Sequence, residues 1–226
     1  WFEDRSYKKH YNSEEATQER AKESALRSLQ DKKHALNRAA ERSNHALINS
    51  RDHLLSFEKY LGQAEVEFSK ESILPFWECI EYSVIESGHV NVYIREIIGH
   101  ADDYKRHADA AQRSSAHCTI PTSPFPIDRE SLKELTTANS LLARMDNIVY
   151  RAKSDFQFAV IFEPRRSNAI PIVEFANLDE ALSQMTHQVT ESIRSLEESV
   201  DDLLEENAEA TENVKMTALS RKRNTR

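Results

Sequence analysis

This chain of 226 residues contains only three glycines, Gly62, Gly88 and Gly99, and none after Gly99. Tight turns and strand-rich folds depend on glycine, because glycine adopts positive φ angles without steric cost. A chain this poor in glycine has few sharp corners. We therefore predict a mainly α fold, an elongated helical bundle or coiled coil that carries one short β-hairpin.

The first long helix is predicted to begin at a cap at Ser13, and only Gly62 interrupts its pattern before Pro75. Two apolar rows at heptad spacing run along it and form a seam for packing against another helix. The first row is Leu26, Lys33, Ala40, Leu47, Leu54, Leu61 and Phe68. The second row is Leu29, Leu36, Ser43, Ser50, Phe57 and Ala64. The polar members weaken the seam or mark where the partner helix is absent. The interaction positions that we predict here are Leu47, Leu54, Leu61 and Phe68.

The final helix carries a second seam, which has no polar interruption. Its members step by four or three residues: Leu178, Leu182, Met185, Val189, Ile193, Leu196, Val200 and Leu203. The interaction positions that we predict in this seam are Val189, Ile193, Leu196 and Val200.

Between these helices, breaks in the pattern divide the chain into five segments. We predict an irregular lead-in (1–12), a long helix plus an apolar helix (13–115), a proline-rich connector (116–128), a helix, hairpin and coiled-coil helix (129–213), and a basic tail (214–226). Asp128 is the expected cap of the third helix, which should end near Lys153.

Residues 156–175 contain two runs rich in β-branched and aromatic residues, separated by a turn-like Glu-Pro-Arg-Arg-Ser-Asn segment. We predict a β-hairpin there. Its tip would expose Arg165 and Arg166, whose guanidinium groups suit a carboxylate or phosphate of a partner, although a charged tip also serves solubility alone.

The net charge of −8 and the acidic stretch from Glu174 to Glu212 disfavour nucleic acid as a partner. Two cysteines, Cys79 and Cys118, do not form a disulfide framework, which favours a cytoplasmic location; a single bridge between them is left open. Trp1-Phe2 followed by basic residues resembles the flank of a removed membrane anchor, and is equally what trimming at a loop would leave.

Two groups of side chains have the residue types of a metal site. Glu96, His100, Asp103 and His107 share one predicted helical face, but the two histidines lie two turns apart, about 10 Å along the axis. Glu86-Ser-Gly-His89 matches the Glu-x-x-His element of di-iron bundles, which require that element twice. We read both as solvated polar faces. Because glycine-rich phosphate loops and nucleophile motifs are also missing from the sequence, we predict no cofactor and no catalysis.

Three hypotheses for function follow. The first is a non-enzymatic helical scaffold or interaction module that binds a protein partner or itself through its seams, with a membrane tether as one variant. The second is a membrane-active protein, since long helices with one apolar hairpin are similar in outline to helical-bundle pore-forming toxins with a β-tongue; the arginines at the tip oppose deep insertion. The third is a metal-binding helical bundle.

Overall fold

In a computed structural model of the chain, the described residues form four long helices. The structure describes the backbone of residues 2–114, 125–159 and 178–223, and the side chains of residues 16–111, 125–159 and 182–205. The helices are α1 (Phe2–Ser69), α2 (Ile73–Ser114), α3 (Arg129–Ser154) and α4 (Leu178–Arg223). The described residues include no strand. The prediction of a mainly α fold is confirmed.

Contacts between side chains show that α1 and α2 run antiparallel. His53 of α1 lies against Glu86 of α2, and Lys32, further back on α1, donates a hydrogen bond to the carbonyl of Ala110, further forward on α2. At about 1.5 Å per residue α1 is roughly 100 Å long, so it is much longer than α2.

The other two helices complete a four-helix body. Ion pairs from Arg51 to Glu134 and from Arg144 to Glu65 join α1 to α3, which run parallel. Helix α4 packs against α2 and α3, and within the described residues it makes no contact with α1. Helices α1 and α4 are therefore diagonal to each other.

The interior is continuous and built from the predicted seams. In α1 the seam is buried from Leu36 to Ala64, whereas Leu26 and Lys33 near its start are exposed. Ser43 and Ser50 are also fully buried, so they do not mark a place where the partner helix is absent. Their hydroxyl groups have no hydrogen-bond partner within the described part of the chain.

Replacing Ser50 by alanine should raise the free energy of unfolding by about 1 kcal/mol, because it removes an unsatisfied buried hydroxyl and improves helix propensity. Urea denaturation followed by circular dichroism measures this. Ser28→Ala, at an exposed position of the same helix, controls for propensity alone. A loss of stability in Ser50→Ala would show that the hydroxyl bonds to the backbone in solution.

The α1–α2 connection is a tight turn. The amide of Ser72 donates to the carbonyl of Glu67 (2.9 Å) and that of Glu71 to the carbonyl of Phe68 (3.1 Å), which is the Schellman pattern of a helix C-terminus. Glu71 has a φ of 58°, in the left-handed region that this pattern requires and that usually selects glycine. The turn directs Phe76 of α2 back onto Phe68, with ring centroids 5.6 Å apart.

Asp128 caps α3, as the sequence indicated. Its carboxylate accepts a hydrogen bond of 2.8 Å from the amide of Ser131, and this bond, together with the Ser131 hydroxyl, lowers the pKa of the Asp128 carboxyl below 3.8. The lowered pKa means that the cap stabilises the fold above pH 3.8 and is lost as the pH falls through the folded-state value.

Replacing Asp128 by alanine should lower the melting temperature by about 2 °C at pH 7, since one amide of the first turn loses its acceptor. Asp128→Asn keeps an acceptor without the charge and should melt between the two. Thermal denaturation at a series of pH values measures the effect. The deficit of Asp128→Ala should shrink at acid pH; a deficit independent of pH would contradict this account.

After α3, residues 156–159 form a helical turn capped by Asp155, whose carboxylate accepts from the amide of Gln157 (2.9 Å). The turn places Phe158 in an aromatic cluster with Phe68 and Phe76, and the indole nitrogen of Trp77 donates to the Phe158 carbonyl (3.1 Å). The predicted first strand of the hairpin therefore does not begin at Phe156.

Three boundaries are corrected or left open. Helix α1 begins at Phe2, which corrects the irregular lead-in predicted for residues 1–12. Helix α4 continues to Arg223, into the segment predicted as a basic tail (214–226). Residues 160–177, which hold the rest of the predicted hairpin, and most of the proline-rich connector lie outside the described residues.

Candidate interaction surfaces

The seam positions predicted to interact lie inside the four-helix body. Seven of them are buried and Phe68 is half-buried against the core. The buried ones are Leu47, Leu54, Leu61, Val189, Ile193, Leu196 and Val200. The structure thus gathers these positions into one core, where they pack against helices of the same chain. Surfaces for other molecules must be sought on the outer faces.

The tip residues Arg165 and Arg166 lie outside the described part of the chain. They stay a prediction.

The polar face of α2 around His100 is engaged in surface ion pairs. Asp103 pairs with Arg106 one turn later, and the neighbouring Lys105 reaches Asp202 of α4 at 3.1 Å. Among the described residues, no group of three or more histidine, cysteine or acidic side chains is placed to hold a metal ion.

One cluster on the outer side of the α1–α2 pair includes a residue that the sequence did not single out. Nδ1 of His53 on α1 donates a hydrogen bond of 2.6 Å to the carboxylate Oε2 of Glu86. Its ring also stacks on His89 (centroids 4.6 Å apart) and on Tyr93 (5.4 Å). Glu86 and His89 were noted as a pair, but His53 lies 33 positions before Glu86, and only the pairing of the two helices joins them. The cluster fixes the α1–α2 register.

Cys79 is a free thiol inside the core of the bundle. Burial raises the pKa of the Cys79 thiol, and the charges of Glu67 and Glu78 raise it further. A thiol held in the protonated form is a poor nucleophile, and a buried free cysteine packs as a small apolar residue.

A buried polar layer joins α2 to α4. Ser192 donates to Oδ1 of Asn91 at 3.0 Å, and Nδ2 of Asn91 donates to Gln188 at 3.4 Å. Such a layer favours one register, because slippage would leave the buried amide unpaired. Gln188 lies 97 positions after its partner Asn91, and Asp202 lies 97 positions after its partner Lys105. The same offset places Thr211 of α4 level with Ser114, the last residue of α2.

Both α1 and α4 extend beyond this end of the bundle. Every described side chain of α1 from Ala16 to Ser28 is exposed, including Leu26 at 57%. Where α1 leaves α2, an open groove of about 680 Å³ is lined by side chains of both charges. Its charged members are Arg20, Glu23, Arg27, Asp31 and Lys32, and His107 also lines it. We name residues 16–28 the α1 extension.

Over the described residues, no helix has a stretch that is both long and apolar enough to cross a bilayer. No protein-family model, curated protein or solved structure matches the chain.

Proposed function

We propose that this protein is a non-enzymatic helical interaction module whose α1 extension binds a helical protein partner. The observation that carries the proposal is the run of exposed side chains from Ala16 to Ser28, on a helix that continues past the end of α2. A four-helix body with its own core holds this helix at its base.

The exposure of the α1 extension supports the proposal on energetic grounds. Helices of a few turns are marginal in water unless tertiary packing stabilises them. Within the α1 extension the ion pair between Arg27 and Glu23, at 4.0 Å and well exposed, contributes little. A second helix packed along Leu26 and the half-buried Leu29 would supply the missing packing.

The charges of the open groove narrow the type of partner. Arg20 and Arg27 lie among Glu23 and Asp31, so the groove is not suited to one anion. A polar helix or peptide with both signs of charge fits this pattern best. A cytoplasmic location is part of the proposal, because a free and buried cysteine suits a reducing compartment.

Site-specific photocrosslinking in cells tests the proposal. A photoreactive amino acid at Ser28 should form one discrete adduct with another protein, and Leu26→Glu in the same chain should abolish that adduct. A photoreactive amino acid at Tyr150, an exposed residue of α3, is the control and should not give this adduct. The same adducts at both positions, or an adduct unaffected by Leu26→Glu, would refute the proposal.

A further inference from the structure

The outer face of α1 carries a second heptad pattern, displaced from the buried seam. Its members step by three and four residues along one line. We name this line the outer stripe: His45, Ile48, Asp52, Leu55, Lys59, Gly62 and Val66. All are exposed except the half-buried Gly62, and Leu55 at the centre is 64% exposed. Three large aliphatic side chains, Ile48, Leu55 and Val66, lie along this line at coiled-coil spacing.

We propose that the outer stripe pairs antiparallel with the outer stripe of a second copy of this chain. The inference goes beyond the proposed function, because it assigns a partner to a second surface of the module. A twofold contact of this kind requires a self-complementary surface, in which each position meets its own counterpart across the axis.

The charges of the outer stripe meet this requirement. We place the two copies antiparallel, with Leu55 of one opposite Leu55 of the other. Asp52 of each copy is then level with Lys59 of the other to within one residue, so the same ion pair forms twice. Within the described residues of a single chain, neither side chain is in an ion pair, and Lys59 lies only loosely over the Tyr60 ring at 5.8 Å. A parallel pair would instead oppose Asp52 to Asp52 and Lys59 to Lys59.

The shape of the stripe is also self-complementary. The same pairing sets Ile48 opposite Gly62, the smallest residue of the stripe. A Cβ atom built on Gly62 meets nothing within 4 Å, so the space over it is open to an incoming side chain. Leu55 packs on its own counterpart at the axis.

The flanks of the stripe carry both uncharged and charged residues. On one side lie the uncharged Asn49, Ser56 and Gln63. On the other side lie Arg51, Glu58 and Glu65. Arg51 and Glu65 pair with Glu134 and Arg144 of α3, and the exposed Glu58 of one copy is level with Arg51 of the other to within one residue. Glu58 is also level with Asp52 of the other copy, so the contact between Asp52 and Lys59 has to offset this pair of like charges.

Sedimentation equilibrium of the full chain over a range of concentrations tests the proposal. The wild type should form a dimer that dissociates on dilution, and Leu55→Glu should be monomeric with an unchanged melting temperature. Tyr150→Glu, at an exposed position of α3, is the matched control and should dimerise as the wild type does.

Reversing the charges of Asp52 and Lys59 tests whether the two copies pair antiparallel. Asp52→Lys alone and Lys59→Asp alone should each weaken the dimer about tenfold, since each creates two like-charge contacts. The double variant Asp52→Lys with Lys59→Asp should restore wild-type affinity. A wild-type chain that stays monomeric, a dimer insensitive to Leu55→Glu, or a double variant without rescue would each overturn the proposal.

The proposed dimer and the proposed partner binding can each fail without the other, because the α1 extension and the outer stripe share no residue. A monomeric chain that still forms the Ser28 adduct refutes only the dimer. A dimer without that adduct refutes only the binding of a separate helical partner.

Discussion

Replacing Leu196 by aspartate should unfold the four-helix body. Leu196 is 0% exposed and lies in the α4 seam that packs against α2 and α3. An unpaired carboxylate there costs several kcal/mol, which is comparable to the whole stability of a typical domain. We expect the cooperative urea transition, followed by circular dichroism, to shift to much lower denaturant or to disappear.

The control for this change is Leu204→Asp on the same helix. Leu204 is 39% exposed, so an identical substitution leaves the new carboxylate in contact with water. Its transition should stay close to that of the wild type. If both variants unfold alike, helix propensity rather than burial determines the loss, and the α4 seam is not the core that the structure describes.

Replacing Phe158 by alanine should lower the free energy of unfolding by about 3 to 5 kcal/mol. The Phe158 ring is 2% exposed and lies 5.0 Å from the Phe68 centroid and 5.2 Å from that of Phe76. The substitution removes both ring contacts and leaves a cavity at this end of the bundle. The hydrogen bond from Trp77 survives because it goes to the backbone carbonyl. Urea denaturation measures the difference.

Phe156→Ala provides a control two residues away. Phe156 is 81% exposed, and its loss should change stability by less than about 0.5 kcal/mol. The contrast also tests the local structure. In a strand, positions 156 and 158 share a face, whereas in a helical turn they point in different directions. Equal losses from the two substitutions would favour the strand that the sequence predicts.

The sequence was most informative where local signals agree. For α3, the sequence predicts a cap at Asp128 and an end near Lys153, and the observed bounds of Arg129–Ser154 match both. The same holds for the buried α4 seam from Leu182 to Leu203. These features depend on interactions within one or two turns, which are visible in the order of the residues.

Other features depend on competition between local structures. Phe156 and Phe158 have high β propensity, but Asp155 caps a helical turn and the aromatic cluster binds Phe158, so tertiary packing determines the outcome. At the other end, the first turns of α1 lack an apolar period, which made them appear irregular. They contain no glycine or proline after Trp1, and the helix continues back to Phe2.

The candidate interaction surfaces are the part of the molecule that the sequence predicts least well. A heptad row indicates that a helix is packed, but not whether the partner belongs to the same chain. The positions around Leu54 and Val189 were therefore assigned to interaction, and both are core. The outer stripe is weaker in the sequence because Asp52, Lys59 and Gly62 interrupt it. It becomes visible only when the exposure of Ile48, Leu55 and Val66 is known.

The constant offset of 97 residues between α2 and α4 has a consequence for synthesis of the chain. Helix α2 can pair with α1 as soon as both have emerged from the ribosome, because the turn between them is short. The face of α2 that includes Asn91 must wait for α4, which at about 5 to 20 residues per second is a delay of roughly 5 to 20 seconds. During that interval the apolar face of α2, with Asn91 at its centre, is exposed to other nascent chains and to chaperones.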